Sequence, residues 1–345
     1  MNRIVKFVVA IAVVGMVGCA ATLLSQSVNA DYKASLPNHT PNGFKNNYPH
    51  EAPQSFSNWQ WERLREGTPS PPAEGCASVL PSVKPDVAFL KSNRSERTMN
   101  WIGHATVLLQ TNGVNIITDP IFSDRTSLVQ FAGSKRQVPL MMSVEDNHCD
   151  HLDVGAVKEF ARRFPKATWL VPLGLKPWFA EFEVASVREM DWWDSLELAG
   201  LKYTFVPVQH WSKRSLTDTN RSLWGGIVVA DHGWRVLHTG DTGYSQDFKN
   251  LSAKFPGDID WFAVPIAAYD PRWFLKAQHV NLDESVQIIK DVGTKQALAI
   301  HWGTSILTDE PLDQPPKDLA VALAKYGVDP AKFHVFKNGE TRKLP

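Results

Sequence analysis

The chain has 345 residues, 43% of them hydrophobic, which suffices for one large α/β domain or two modest ones and excludes a disordered or fibrous protein. Its 36 basic and 36 acidic side chains cancel; with no Lys/Arg-rich run, the electrostatic footprint of a nucleic-acid partner is missing and nuclease chemistry is disfavoured. Cys19, Cys76 and Cys149 are too few for a disulfide framework, and a Cys76–Cys149 pair is not expected because Cys149 stands inside a metal-type motif.

At the amino terminus Arg3 and Lys6 precede an uncharged apolar run over 7–24, the pattern of a secretory signal or a single membrane anchor, so residues 1–30 are set apart from the fold. Two endings fit. Met16-Val17-Gly18-Cys19 resembles a lipoprotein processing site that leaves Cys19 lipidated, while Val28-Asn29-Ala30 before Asp31 suits ordinary cleavage. Either route predicts an exported protein, periplasmic or held at a membrane. Residues 31–81 are rich in Pro, Asn and Ser but carry Phe44, Tyr48, Phe56, Trp59 and Trp61, too aromatic for a free linker. They are predicted to form an extended arm across a domain of residues 82–345, with a short helix over 59–65.

The domain opens with a strand signal over 99–110, read through Gly103-His104-Ala105, followed by a hairpin turn at Asn112-Gly113 and a return strand over 114–118 that ends at Asp119-Pro120. After a loop over 121–139 comes Asp146-Asn147-His148-Cys149-Asp150-His151-Leu152-Asp153, a dense mixture of imidazoles and carboxylates with the composition of a metal site. A tight H-x-D-H turn can aim His148 to one side and Asp150 and His151 to the other, so that neighbouring residues serve two adjacent ions. Val154, Val157, Phe160, Ala161 and Phe164 then recur at helical spacing, with Asp153 as a plausible N-cap and Pro165 as the stop.

Further strands are predicted at 168–171, 195–198, 201–208, 223–230, 234–239, 261–265 and 297–300, and helices at 175–182, 245–255, 282–292 and 317–326. Strands in runs, interrupted by helices, favour a layered α/β sandwich over a strictly alternating parallel sheet. His210, Asp241 and His301 each follow one of these strands, where a rigid sheet can hold ligands and leave one side open to substrate. A lone histidine after a strand is more often a packed residue than a ligand. Three such residues together with an H-x-D-H turn reverse that preference and point to one metal centre.

Several local sequences carry a family likeness. Trp101-Ile102-Gly103-His104-Ala105-Thr106, residues 147–153, Gln209-His210-Trp211-Ser212, Thr239-Gly240-Asp241-Thr242-Gly243-Tyr244 and Ile300-His301-Trp302-Gly303-Thr304 resemble the metallo-β-lactamase superfamily, and within it the branch of N-acyl-phosphatidylethanolamine-hydrolysing phospholipase D. The likeness runs from His39-Thr40-Pro41-Asn42-Gly43-Phe44 to at least Pro316. It implies an αββα sandwich with two zinc ions at one edge: His148 and His210 on the first, Asp150, His151 and His301 on the second, and Asp241 between them. Two cations lower the pKa of a shared water and offset charge on a phosphoryl oxygen. In a phospholipase D reaction that water attacks the phosphodiester and releases an N-acylethanolamine, Asp150 helping to orient it. His279, in Gln278-His279-Val280-Asn281, matches a family histidine assigned here to substrate or leaving-group contacts; a structural histidine before the next helix is the equal alternative.

The chain departs from this pattern at one place. The family reads H-x-H-x-D-H, and Asp146 stands where the first histidine belongs. Family members lead a hydrophobic strand into that histidine, whereas residues 140–146 resemble the loop before such a strand, so the simplest account is a deletion that joined Asp146 to Asn147. Asp146 could still act as an oxygen ligand in a weakened first site, or the lost strand could leave unpaired backbone in the sheet. Three expectations compete: a zinc-dependent phosphodiesterase on phospholipid at a membrane surface, the same fold acting on another small-molecule substrate such as a lactone or a non-lipid phosphodiester, and a catalytically impaired binding protein. Oligomeric state is left open.

Overall fold

The structure is a computed structural model and describes residues 29–52, 54–70, 75–122, 125–126, 134–142, 154–215, 217–256 and 259–345. Asp146, His148, Asp150, His151 and the apolar run over 7–24 lie outside the described residues, and so does the proposed junction at Asp146-Asn147.

The strands of the two main sheets are β1 (Thr98–Gly103), β2 (Thr106–Thr111), β3 (Val114–Thr118), β4 (Ser195–Leu198), β5 (Leu201–Val206), β6 (Gly226–Asp231), β7 (Trp234–His238), β8 (Ile259–Pro265), β9 (Thr294–Ile300), β10 (Phe333–His334) and β11 (Thr341–Lys343). One sheet has the order β11-β1-β2-β3 and the other β4-β5-β6-β7-β8-β9-β10. The first is antiparallel throughout, with Trp101 opposite Val107 and Leu109 opposite Ile116. The second is antiparallel from β4 to β7 and parallel from β7 to β10.

Alternation along β1 and β2 decides what each face meets. Met99, Trp101, Val107 and Leu109 are buried in one core with Val229, Val236, Leu237 and Phe262 of the second sheet. Ile102, Leu108 and Ile117 belong instead to a separate cluster with Ala156 and Phe160. The helices are α1 (Phe56–Glu66), α2 (Val154–Arg163), α3 (Asp247–Lys254), α4 (Arg272–Leu275), α5 (Leu282–Val292) and α6 (Gln314–Lys325). Helix α2 therefore covers the outer face of the four-stranded sheet, while Phe248, Val286, Ile289 and Leu319 place α3, α5 and α6 on the larger one. The layers are αββα. Helix α5 begins with a reciprocal capping box between Asn281 and Glu284 and stops at Gly293, whose φ of 73° supplies the left-handed residue of the C-cap. Helix α6 starts earlier than predicted because Pro315 and Pro316 occupy its first turn, where no amide donor is needed.

One expectation is corrected. The strand predicted over 99–110 is two antiparallel strands joined at His104-Ala105. Gly103 at φ 133° and His104 at φ 51° reverse the chain, and the Trp101 indole donates to the His104 carbonyl at 2.8 Å. Apolar alternation on both sides of the turn hides it from pattern reading; Gly103 was the available signal. A Cβ there would sit 3.2–3.3 Å from Arg136, Asn338 and Thr304 side chains, which is why the residue is glycine.

Among the described residues no helix is long and apolar enough to cross a membrane. The arm crosses the sandwich on polar anchors: His39 Nε2 meets Asp191 Oδ2 at 2.8 Å with both side chains buried, and Asn47 donates to Asp247 at 2.9 Å. Helix α1 is capped by Ser55 and held by Trp59, which stacks on Phe274 at 4.8 Å and donates to Asp309 at 2.7 Å.

A small pH switch in stability follows from His334. Its ring stacks on Trp261 at 4.9 Å, with Nε2 donating to Gln296 Oε1 at 2.6 Å and Nδ1 accepting from Arg342 at 2.9 Å. Burial and then the Arg342 charge hold its pKa below the usual histidine value. The neutral form is favoured by folding, so this contribution is present above the unfolded pKa of about 6.5 and is lost as pH falls through the lower folded value. The melting temperature should drop between pH 7 and 5, and His334→Gln should flatten that drop by a measurable fraction.

Candidate metal centre

Sheet direction brings the polar residues together. Because β7, β8 and β9 are parallel, and β5 is antiparallel to β6, which is antiparallel to β7, the strands β5, β7, β8 and β9 all run the same way. Residues just beyond their carboxyl ends share one edge of the sandwich. His210 follows β5, Asp241 follows β7, and His301 follows β9 directly. Ligand sites form at this edge because loops there face solvent while the strands fix their roots.

Each loop is locked. His301 has φ 62° and donates its N–H to the His104 carbonyl at 2.9 Å, while the His104 N–H donates to Thr304 Oγ1 at 2.7 Å. Trp101 stacks on Trp302 at 5.3 Å with an interplanar angle of 11°. The two turns therefore interlock, and the His104 and His301 rings lie 4.1 Å apart. On the next loop, His238 Nε2 donates to the Ala105 carbonyl at 2.8 Å and its Nδ1 accepts from the Gly240 N–H at 3.2 Å. That histidine is therefore a neutral strut for the turn carrying Asp241. A Cβ on Gly240 would stand 3.2 Å from Asp119 Oδ2, so a second carboxylate borders the site.

His210 is held through its ring as well as its backbone. Nδ1 lies 3.1 Å from the Gln278 carbonyl; donation there selects the tautomer whose lone pair is on Nε2, which lies 3.9 Å from Asp241 Oδ2. His301 Nε2 lies 2.9 Å from Asp241 Oδ1, both side chains being almost fully buried. His279 stands just before α5, its carbonyl accepting from Arg272 at 2.8 Å while Arg272 also binds Glu284 at 2.9 Å. Its ring is 5.4 Å from that of His210 and 5.5 Å from that of His301.

Asp241, His279 and His301 each offer a ligand atom, and the three atoms lie within 4.8 Å of one another. Two imidazoles and a carboxylate form a donor set that suits zinc or another borderline divalent ion, so the residues present fit the metal that the sequence implies. The structure brings His210, Asp241 and His301 together and sets His279 among them. His104 and Asp119 were given no role by sequence; both are polar residues at positive φ, 51° and 39°, just beyond β1 and β3, and their place after a strand, with the motif around His104, was the available signal.

Residues 114–302 match the family described as a beta-lactamase superfamily domain. The chain is 40% identical over 225 residues to N-acyl-phosphatidylethanolamine-hydrolyzing phospholipase D 1 of Caenorhabditis elegans, covering 59% of this chain and 63% of that one. It is 32% identical over 243 residues to the mitochondrial N-acyl-phosphatidylethanolamine-hydrolyzing phospholipase D of Saccharomyces cerevisiae, covering 66% and 52%. The matched part thus spans between about half and two thirds of these relatives. Among solved structures, Igni18, a metallo hydrolase from Ignicoccus hospitalis, aligns with a TM-score of 0.52 at 17% identity over 73% of this chain and 99% of that one, a likeness of fold.

Proposed function

Because the chain belongs to the metallo-β-lactamase superfamily, in its N-acyl-phosphatidylethanolamine-hydrolysing phospholipase D-like branch, we propose that it is a metal-dependent hydrolase that cleaves the phosphodiester of an N-acyl-phosphatidylethanolamine-like phospholipid. The observation that carries the reading is the convergence of Asp241, His279 and His301 within 4.8 Å, with His210 Nε2 turned to the same carboxylate. Zinc is the proposed metal, two ions being the proposed number, with His210, Asp241, His301, His148, Asp150 and His151 as ligands, Asp146 as a weak oxygen ligand of the first, and His279 beside them for the substrate. Bound cations supply Lewis acidity toward the phosphoryl oxygens and acidify water.

The chain's own groups account for the rest. Asp241 brings a negative charge to within 2.9 Å of His301 Nε2. In the reaction a water oxygen bonds to phosphorus, the bond from phosphorus to the ethanolamine oxygen breaks, and that oxygen takes up a proton, giving phosphatidic acid and an N-acylethanolamine. His279, beside both His210 and His301, is placed to hydrogen-bond the departing oxygen. The test is bound zinc per chain and hydrolysis of N-acyl-phosphatidylethanolamine, measured together for the wild type and for His210→Ala. Wild-type zinc binding with turnover at least 100-fold above the variant is expected; a wild type with no metal and no excess turnover sinks the reading. Metal without lipid turnover would direct attention to a lactone or a simpler phosphodiester.

A membrane surface is the proposed partner, consistent with an export signal or anchor over residues 1–30. Helix α1 buries Trp59 but leaves Phe56, Trp61 and Leu64 61%, 62% and 79% exposed, Phe56 at the rim of the Trp59–Phe274 contact. Trp273, on the helix that α1 packs against, is also exposed. Such aromatic side chains favour the headgroup boundary of a bilayer. Changing Trp61 and Leu64 to serine should lower co-sedimentation with phosphatidylethanolamine vesicles several-fold and leave hydrolysis of a soluble phosphodiester within twofold of wild type.

A further inference from the structure

We infer that Asn46, on the amino-terminal arm, is a positioning residue of the metal centre, holding the His210 backbone as a neighbouring strand would. The inference rests on the metal-hydrolase reading above. Strand β5 ends at Val206, so His210 has left its ladder and its peptide groups need other partners. Asn46 supplies both. Its Oδ1 accepts from the His210 N–H at 3.1 Å, and its Nδ2 donates to the His210 carbonyl at 2.9 Å. Adjacent antiparallel strands exchange the same pair of bonds between facing residues.

The amide orientation is unambiguous. Oδ1 also accepts from the Trp224 indole at 3.2 Å, and both of its partners are pure donors; Nδ2 additionally meets His50 Nε2 at 3.0 Å. A flipped amide would set N–H against N–H twice. An anchor two residues earlier places Asn46 without reference to His210: Phe44 N–H donates to the Asn220 carbonyl at 2.9 Å. With Nδ1 bound to the Gln278 carbonyl, His210 is fixed at its main chain by the arm and at its ring by the segment before His279. Nε2 is then left aimed at Asp241. The arm is thus part of the centre as well as its cover.

The test compares Asn46→Ala and Asn46→Asp with wild type and with Asn47→Ala, which cuts the neighbouring arm contact. Two quantities are read: hydrogen exchange of the His210 amide in metal-free protein, and the affinity and visible spectrum of bound Co²⁺. In Asn46→Ala the His210 amide should exchange roughly ten times faster and cobalt affinity should fall roughly 10- to 100-fold, with Asn47→Ala near wild type in both. Asn46→Asp keeps the acceptor for the His210 N–H but sets a carboxylate against its carbonyl, so it should keep slow exchange and still bind cobalt more weakly. Unchanged exchange and affinity in Asn46→Ala overturn the inference, as do equal losses in Asn47→Ala, which would make the arm merely structural. Should Asn46→Ala fail to fold, wild-type cobalt affinity in Asn46→Asp overturns it instead. A wild type that binds no cobalt is recognised before any variant is compared; it sinks the hydrolase reading, and a metal-positioning role falls with it.

Discussion

Asp241→Ala is expected to lower kcat/KM for a phosphodiester substrate by roughly a thousandfold, about 4 kcal/mol of transition-state stabilisation, and to lower bound metal as well. Asp241 is the carboxylate on which the described part of the site converges, 2.9 Å from His301 Nε2 and 3.9 Å from His210 Nε2. Removing it takes away the carboxylate that lies between the two imidazoles. Asp241→Asn keeps the shape but turns one acceptor into an N–H donor directed at the same nitrogens, so it should lose at least a hundredfold. The residue lies in a loop after β7 rather than in a strand, so the far-ultraviolet spectrum of both variants should match wild type. Activity within tenfold of wild type in a folded Asp241→Ala protein would remove this residue from the reaction.

Glu310→Ala should destabilise the fold by roughly 3–5 kcal/mol, since several buried donors lose their acceptor at about 1–3 kcal/mol each, offset in part by relaxation. Glu310 is buried, and its Oε1 accepts from the Ala268 N–H at 2.7 Å and the Tyr269 N–H at 3.3 Å. Its Oε2 accepts from the Asp270 N–H at 3.0 Å and the Thr308 hydroxyl at 2.8 Å. One carboxylate thus satisfies the backbone of the loop between β8 and α4, where Ala268 sits at a positive φ of 64°. Burial pushes its pKa up, and the hydrogen bonds it accepts oppose that rise. Alanine leaves these donors without their acceptor; Glu310→Gln retains one acceptor oxygen and should cost about half as much. Urea unfolding checks both, and a loss below about 1 kcal/mol for alanine would mean that water or a shifted loop replaces the carboxylate. Because the same loop leads into Arg272, which holds the His279 carbonyl, Glu310→Ala should also reduce activity of the protein that remains folded.

Much of the architecture was legible because it depends on neighbours in sequence. A helix was predicted over 282–292, and the structure places α5 over the same residues, capped by Asn281 and Glu284. Alternation marked β4 and β3 equally well. The same signal misled at Gly103-His104, where a strand that reverses and a strand that continues have the same alternation on each side, and only the glycine hinted at the turn.

Most of the elements, the polar residues at strand ends and the family likeness carried by the motifs around His210, Asp241 and His301 could be read from local sequence. It could not determine which of those residues touch. That was decided by sheet order: two antiparallel steps from β5 to β7 followed by parallel steps to β9 send four strands the same way and deliver their ends to one edge. His279, separated from His210 by a long stretch of chain, joins the group because the segment before α5 packs against the His210 ring through Gln278. Asn46 reaches the site across a still longer separation in sequence. Hydrophobic periodicity reports which face of an element is buried, a local property; contact between loop residues depends on strand direction and register, which form only when the sheets are assembled.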